Sequence, residues 1–127
     1  NVVNMLDQIE SDPRLETCCA DVVNLALNVK FDIILSAGLI EFVPDHNAMF
    51  ATLERHVADD GKIVLLHPNS GLMVGLYRLY HMLNGTRLTI PSKQKIADLS
   101  SMHGFEALHS ERAGPLARVT TLRRQTV

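Results

Sequence analysis

The sequence predicts a single α/β layered domain. Three observations carry this expectation. Two short, β-rich apolar runs, Phe31–Ser36 (FDIILS) and Lys62–His67 (KIVLLH), read as strands buried on both faces. Segments of helical periodicity, with start and stop signals, lie between and after them. Strand–helix–strand alternation with short connections is the pattern of layered α/β domains.

The elements follow in order. Asn1–Glu10 places Val2 or Val3, Met5, Leu6 and Ile9 at near-helical spacing, and Ser11-Asp12-Pro13 stops it. Leu15–Ala20 is a short candidate strand. After FDIILS, Pro44-Asp45 opens a helix with Asp45 as N-cap, and Phe50, Leu53 and Val57 supply its core face. Asp59-Asp60-Gly61 reads as a turn before KIVLLH, which Pro68-Asn69 ends. Gly71–Asn84 reads as a helix with Gly85 as its C-cap. Ser92 caps a further helix, with Ile96, Leu99 and Met102 on one face and Gly104 at its end. Phe105–Glu111 and Ala117–Arg124 are two more strands around Gly114-Pro115. The second alternates Ala117, Val119 and Thr121 against Arg118, Thr120 and Leu122, as a strand with one wetter face would.

Composition bounds the function. The 127 residues fit one domain over residues 1–127, with no repeat, linker or low-complexity tract. Hydrophobic residues at 46% and charged residues at 20% are those of a globular chain. A net charge of −2 offers no basic field for nucleic acid. No apolar run approaches the roughly 18 residues of a membrane span, and no signal-peptide pattern is present. The start at Asn1 rather than Met predicts a chain processed, trimmed or cut from something longer. The only cysteines, Cys18 and Cys19, are adjacent; a vicinal disulfide would be strained, so they read as reduced thiols of a cytoplasmic protein. The six histidines form no metal-ligand spacing, so no metal is expected. No G-x-S-x-G elbow is present.

In open α/β sheets, ligands bind beyond the carboxyl ends of the strands. Three such ends carry informative residues: Asp21; Ser36 through Asp45; and His67-Pro68-Asn69. Glycine at position 38 would let a ligand approach the backbone closely.

In their order and spacing these segments resemble the class I S-adenosylmethionine-dependent methyltransferases. The resemblance rests on an acid after strand three (Asp21, in C-A-D-V-V-N-L), then F-D-I-I-L-S-A-G-L-I-E-F-V-P-D for strand four and its loop. A helix and D-D-G-K-I-V-L-L-H-P-N for strand five follow, then a helix ending in H-G-F and the strands F-E-A-L-H-S-E-R and A-R-V-T-T-L-R-R. It covers about residues 1 to 125. It implies a Rossmann-like sheet, mostly parallel with an antiparallel C-terminal strand, and S-adenosylmethionine as cofactor. By resemblance, Asp21 would accept from the adenine amino group and Val22 would offer its N–H to the ring. Ser36, Ala37 and Gly38 would line the methionine part, with Leu39 beside it. Phe42, His67 and Tyr77 would face the acceptor. Residue by residue, plainer roles stand alongside: Asp21 as a solvated turn acid, Glu41 as a surface acid, Phe42 as core, His67 as a core or capping histidine.

The departures are two. Phe42 stands where the family usually has a histidine. The family's glycine-rich loop and the acid after strand two have no counterpart, because Asn1–Glu10 looks like the helix after strand two (V-V-N-M-L-D-Q). The sheet is therefore expected to be incomplete at its N-terminal side. By the family order 3-2-1-4-5-7-6, strands one and two separate strands three and four. Without them Leu15–Ala20 lacks a neighbour and Phe31–Ser36 becomes a bare edge that invites pairing. The expected outcomes are a shift of strand three beside strand four, pairing with a copy or partner fragment, or an N-terminal segment outside this sequence.

Gly71–Asn84 adds a question, because nine of the twelve residues Leu72–Leu83 are apolar. Such a helix must be covered on most sides. A substrate lid, a subunit contact and ordinary core all fit. The reading of function is methyl transfer to a small, apolar acceptor. A non-catalytic remnant of the fold, acting as a binding or dimerisation module, is the alternative; a nicotinamide-dependent α/β enzyme lacks the G-x-G-x-x-G to support it.

Overall fold

A computed structural model describes residues 12–126. Its regular elements are β1 (Phe31–Ala37), a 3-10 turn (Ile40–Phe42), α1 (His46–His56), β2 (Val57–Pro68), α2 (Leu72–Leu83), α3 (Lys93–Met102), β3 (Phe105–Ala113) and β4 (Ala117–Arg124). The expected helix over Asn1–Glu10 lies outside the described residues.

The strands form one sheet in the order β1-β2-β4-β3. β1 runs parallel to β2; β4 runs antiparallel to both β2 and β3. Three strands thus share a direction and β4 opposes them. This is the 4-5-7-6 half of the order that the resemblance implied.

One face of the sheet carries the core. Side chains alternate along a strand, and Ile63 and Leu65 of β2, Leu122 of β4 and Phe105 of β3 are buried on that face. Met49, Phe50 and Leu53 of α1 and Ile96 and Leu99 of α3 close over them. Both helices start at side-chain caps. Asp45 Oδ1 accepts from Ala48 N–H at 2.9 Å, and Ser92 Oγ accepts from Lys95 N–H at 3.0 Å.

Five expectations are corrected. No strand forms over Leu15–Ala20, which is irregular and exposed. A strand needs a ladder partner for its N–H and C=O groups, and none is present for it among the described residues. β1 is not buried on both faces: Ile33 and Leu35 are each 68% exposed. Its only partner among the described residues is β2, and Ile33 and Leu35 point away from the core face. Asp59-Asp60-Gly61 is not a turn but part of β2. There β1 advances from Phe31 to Ile33 while β2 advances from Val57 to Lys62, so the extra residues sit in a bulge. Gly61 is required in it, since a Cβ would lie 2.7 Å from Val57 Cγ2 and 2.9 Å from the Phe31 carbonyl oxygen. Met102 leaves the core face of α3 and is 72% exposed, because the stripe from Ile96 runs through Leu99 and Ser100 to His103, at i+7. Finally, α2 is not ordinary core: Val74 is its one buried residue, and Leu72, Leu76, Leu79, Tyr80 and Leu83 are exposed.

Candidate functional site

The carboxyl ends of β1 and β2 lie side by side, as parallel pairing requires, and Gly38 N–H donates to the Leu66 carbonyl at 3.2 Å. Gly38 has φ +60, a conformation that L side chains rarely adopt, and it lets the chain turn out of β1. A Cβ there would meet only Glu41 Oε1, at 4.0 Å. The backbone is thus open to approach in front of Gly38.

The turn that follows is held from several directions. Phe42 N–H donates to Leu39 O at 2.9 Å, Thr89 N–H donates to Glu41 O at 2.7 Å, and the His46 ring bonds Ile40 O at 3.0 Å. Because that partner is a carbonyl, His46 Nε2 carries the proton.

The loop before β1 is pinned to α1. His56 Nδ1 donates to Thr52 O at 2.7 Å, so Nε2 is free to accept from Leu27 N–H at 2.8 Å. Arg55 donates to Leu25 O at 2.9 Å. This fixes the segment carrying Asp21 and Val22. Asp21 is exposed and caps its own turn, Oδ1 accepting from Val23 N–H at 3.1 Å.

Six of the nine candidate residues fall into two groups, and Asp21, Ala37 and Phe42 line neither cavity. Val22, Ser36 and Leu39 line an apolar cavity of about 160 Å³ with Ile34, Met49 and Leu53. Gly38, His67 and Tyr77 line a second of about 240 Å³ with Glu41, Leu66 and Leu116. Ala37 is exposed between them. Phe42 lines neither cavity and is 42% exposed, not core; its ring meets His81 edge-on at 5.6 Å, and His81 meets Tyr77 at 4.6 Å. This aromatic chain ties α2 to the turn. Val22 and Leu39 therefore present apolar walls, and Gly38 an open backbone.

His67 is buried and locked in one tautomer. Nδ1 faces the Pro68 carbonyl at 3.1 Å and must donate, so Nε2 accepts from Thr120 Oγ1 at 2.9 Å. Thr120 is 3.2 Å from Ser110 Oγ, which Arg118 supports at 3.3 Å. Burial, and the nearby Arg118 charge, push the His67 pKa down. It is a neutral, already engaged imidazole. Burial, and then the Glu41 carboxylate through its charge and the hydrogen bond it accepts from the phenol O–H, push the Tyr77 phenol up, so Tyr77 keeps its proton.

Glu41 is the residue that sequence reading missed. It is 4% exposed, not a surface acid. The signal was an acid inside the apolar run L-I-E-F-V. The larger cleft, about 540 Å³, lies beyond His67 and is lined by Asn69, Arg78, Lys93 and Arg118 among others. Among the described residues there is no group of three or more potential metal ligands, and no helix is long and apolar enough to cross a membrane.

The family model described as "Methyltransferase domain" matches residues 2–65. No curated protein matches the chain by sequence. Similar solved structures include magnesium protoporphyrin IX methyltransferase from Synechocystis with bound S-adenosylhomocysteine, at 17% identity and TM-score 0.65, over 84% of this chain and 49% of that one. Human N-acetylserotonin methyltransferase with S-adenosylmethionine aligns at 18% identity and TM-score 0.69, over 84% and 33%. A Burkholderia thailandensis 1,6-didemethyltoxoflavin-N1-methyltransferase aligns at 20% and TM-score 0.72, over 98% and 56%. The chain spans from a third to just over half of these proteins. At such identities the likeness is one of fold.

Proposed function

The chain belongs to the class I S-adenosylmethionine-dependent methyltransferase family, and from that premise we propose that its parent domain transfers a methyl group to a small-molecule acceptor. The observation that carries this reading is Gly38. Its φ of +60 and missing side chain open the backbone at the carboxyl end of β1, the place where α/β sheets take ligands.

The roles are assigned as follows. Asp21 accepts from the adenine amino group and Val22 presents its N–H to the ring. Ser36, Ala37 and Gly38 line the methionine part, with Leu39 against it. Phe42, His67 and Tyr77 lie on the acceptor side. S-adenosylmethionine supplies a methyl group on a sulfonium, already a good leaving group. What remains for the protein is in-line positioning and exclusion of water. The apolar walls at Val22 and Leu39 serve exclusion. His67 serves as a fixed neutral wall: to act as a base it would first have to give up its bond from Thr120.

Two further parts belong to this reading. The location is cytoplasmic, supported by the free, exposed thiols of Cys18 and Cys19. Copies pair along the outer edge of β1, supported by the exposure of Ile33 and Leu35.

The test is calorimetric titration of the chain with S-adenosylhomocysteine beside Asp21→Ala. Binding that Asp21→Ala weakens supports the reading. A folded chain that binds nothing would mean that the glycine-rich loop and the acid this sequence lacks are indispensable, leaving the chain a fragment or the scaffold of the non-catalytic alternative.

A further inference from the structure

We infer that Glu41 anchors an acceptor bearing an ammonium group, held against the wall of the cavity behind Gly38. This deepens the proposed function and rests on it for the word acceptor.

The starting point is a buried carboxylate that no cation among the described residues pairs. Glu41 is 4% exposed, and its Oε2 has no hydrogen-bond partner among the described residues. None of the ion pairs found among those residues includes it. A buried carboxylate is costly unless it is both hydrogen-bonded and paired; the Tyr77 O–H gives it a hydrogen bond, and a cation would give the pairing. The cavity supplies no such group: besides Glu41 its walls are Gly38, Leu66, His67, Pro68, Tyr77, Leu116 and Ala117. The His67 ring is neutral and spends both nitrogens on Pro68 and Thr120.

Glu41 is also held in place by its backbone. Its backbone carbonyl accepts from Thr89, and the turn around it is tied to His46 and Leu39. The carboxylate is prepositioned at a cavity of about 240 Å³. Leu66, Pro68 and Leu116 suit a hydrocarbon body, and the carboxylate suits a cationic head.

Benzylamine, an ammonium at neutral pH, is the probe, with benzyl alcohol as its uncharged counterpart. Binding is read from amide chemical shifts of the whole chain. Benzylamine is expected to shift Gly38, Glu41, Leu66 and Tyr77 and to bind about tenfold or more tighter than benzyl alcohol. In Glu41→Gln that preference disappears while the urea midpoint is unchanged or higher, as for other buried charges relieved of their cost. Equal binding of the two probes, no binding of benzylamine, shifts away from the cavity, or a preference that survives Glu41→Gln would each overturn the inference. So would a Glu41→Gln chain that fails to fold, since Glu41 would then be structural. S-adenosylhomocysteine titrated in parallel separates the two claims. Its failure beside preserved benzylamine binding sinks the cofactor half-site alone; the reverse sinks the Glu41 site alone.

Discussion

Burial lowers the pKa of His67 from its ordinary 6.5, and this makes the fold pH-sensitive. The unfolded chain takes up the proton first as pH falls below 6.5. His67 therefore contributes stability that is present above that value and is lost as pH falls through the lowered folded value. Replacing His67 with Gln is expected to reduce the fall in urea midpoint between pH 7.5 and 5.5; an unchanged fall would mean that other groups cause it. At Gly61 the expectation is steric. Gly61→Ala puts a Cβ 2.7 Å from Val57 Cγ2 and 2.9 Å from a carbonyl oxygen, and should cost roughly 1–3 kcal/mol in urea unfolding. The need for glycine at 61 was legible only as a turn, because bulge and turn share the D-D-G signal. Gly38 was legible from its place after an apolar strand. Glu41 was marked only by its place inside the apolar run L-I-E-F-V, and its burial becomes plain once Thr89 and His46 are seen to fold the loop inward.

The elements with their own local signals were readable. α1 follows from Asp45, whose side chain caps it, and α3 from Ser92 in the same way. Asp45→Ala should lower stability by ~1 kcal/mol, measured by urea unfolding. Elements that depend on a distant partner were not readable. Leu15–Ala20 has strand composition but no ladder to join among the described residues. The apolar run of β1 alone foretold a strand buried on both faces; the bare edge expected for want of strands one and two is what the sheet has, with β2 its one partner among the described residues and Ile33 and Leu35 exposed. That exposed stretch sets the self-association expectation. Ile33→Lys with Leu35→Lys should shift sedimentation of the chain toward monomer, since charges on an edge strand oppose pairing. A wild-type chain that is monomeric at high concentration would remove the premise. The apolar run of α2 likewise foretold a covered helix, and its exposure shows that hydropathy reports what a helix could bury rather than what it does bury.

At the scale of the whole molecule, the sheet order β1-β2-β4-β3 sets the carboxyl ends of the parallel strands β1 and β2 side by side. The order was legible because family resemblance fixes topology where single motifs do not. The division of the candidate residues between two cavities was not, since it depends on how the segment of Asp21 is tied to His56 and Arg55. The central claim is that the ends of β1 and β2, with the Asp21 segment, form a working half-site for the nucleoside cofactor. Hydrogen exchange of the chain with and without S-adenosylhomocysteine tests it most directly. The account predicts slower exchange at Asp21–Leu25 and Ala37–Leu39, with the β3–β4 hairpin unchanged. Exchange unaltered at both segments, or slowed only in the hairpin, would contradict it.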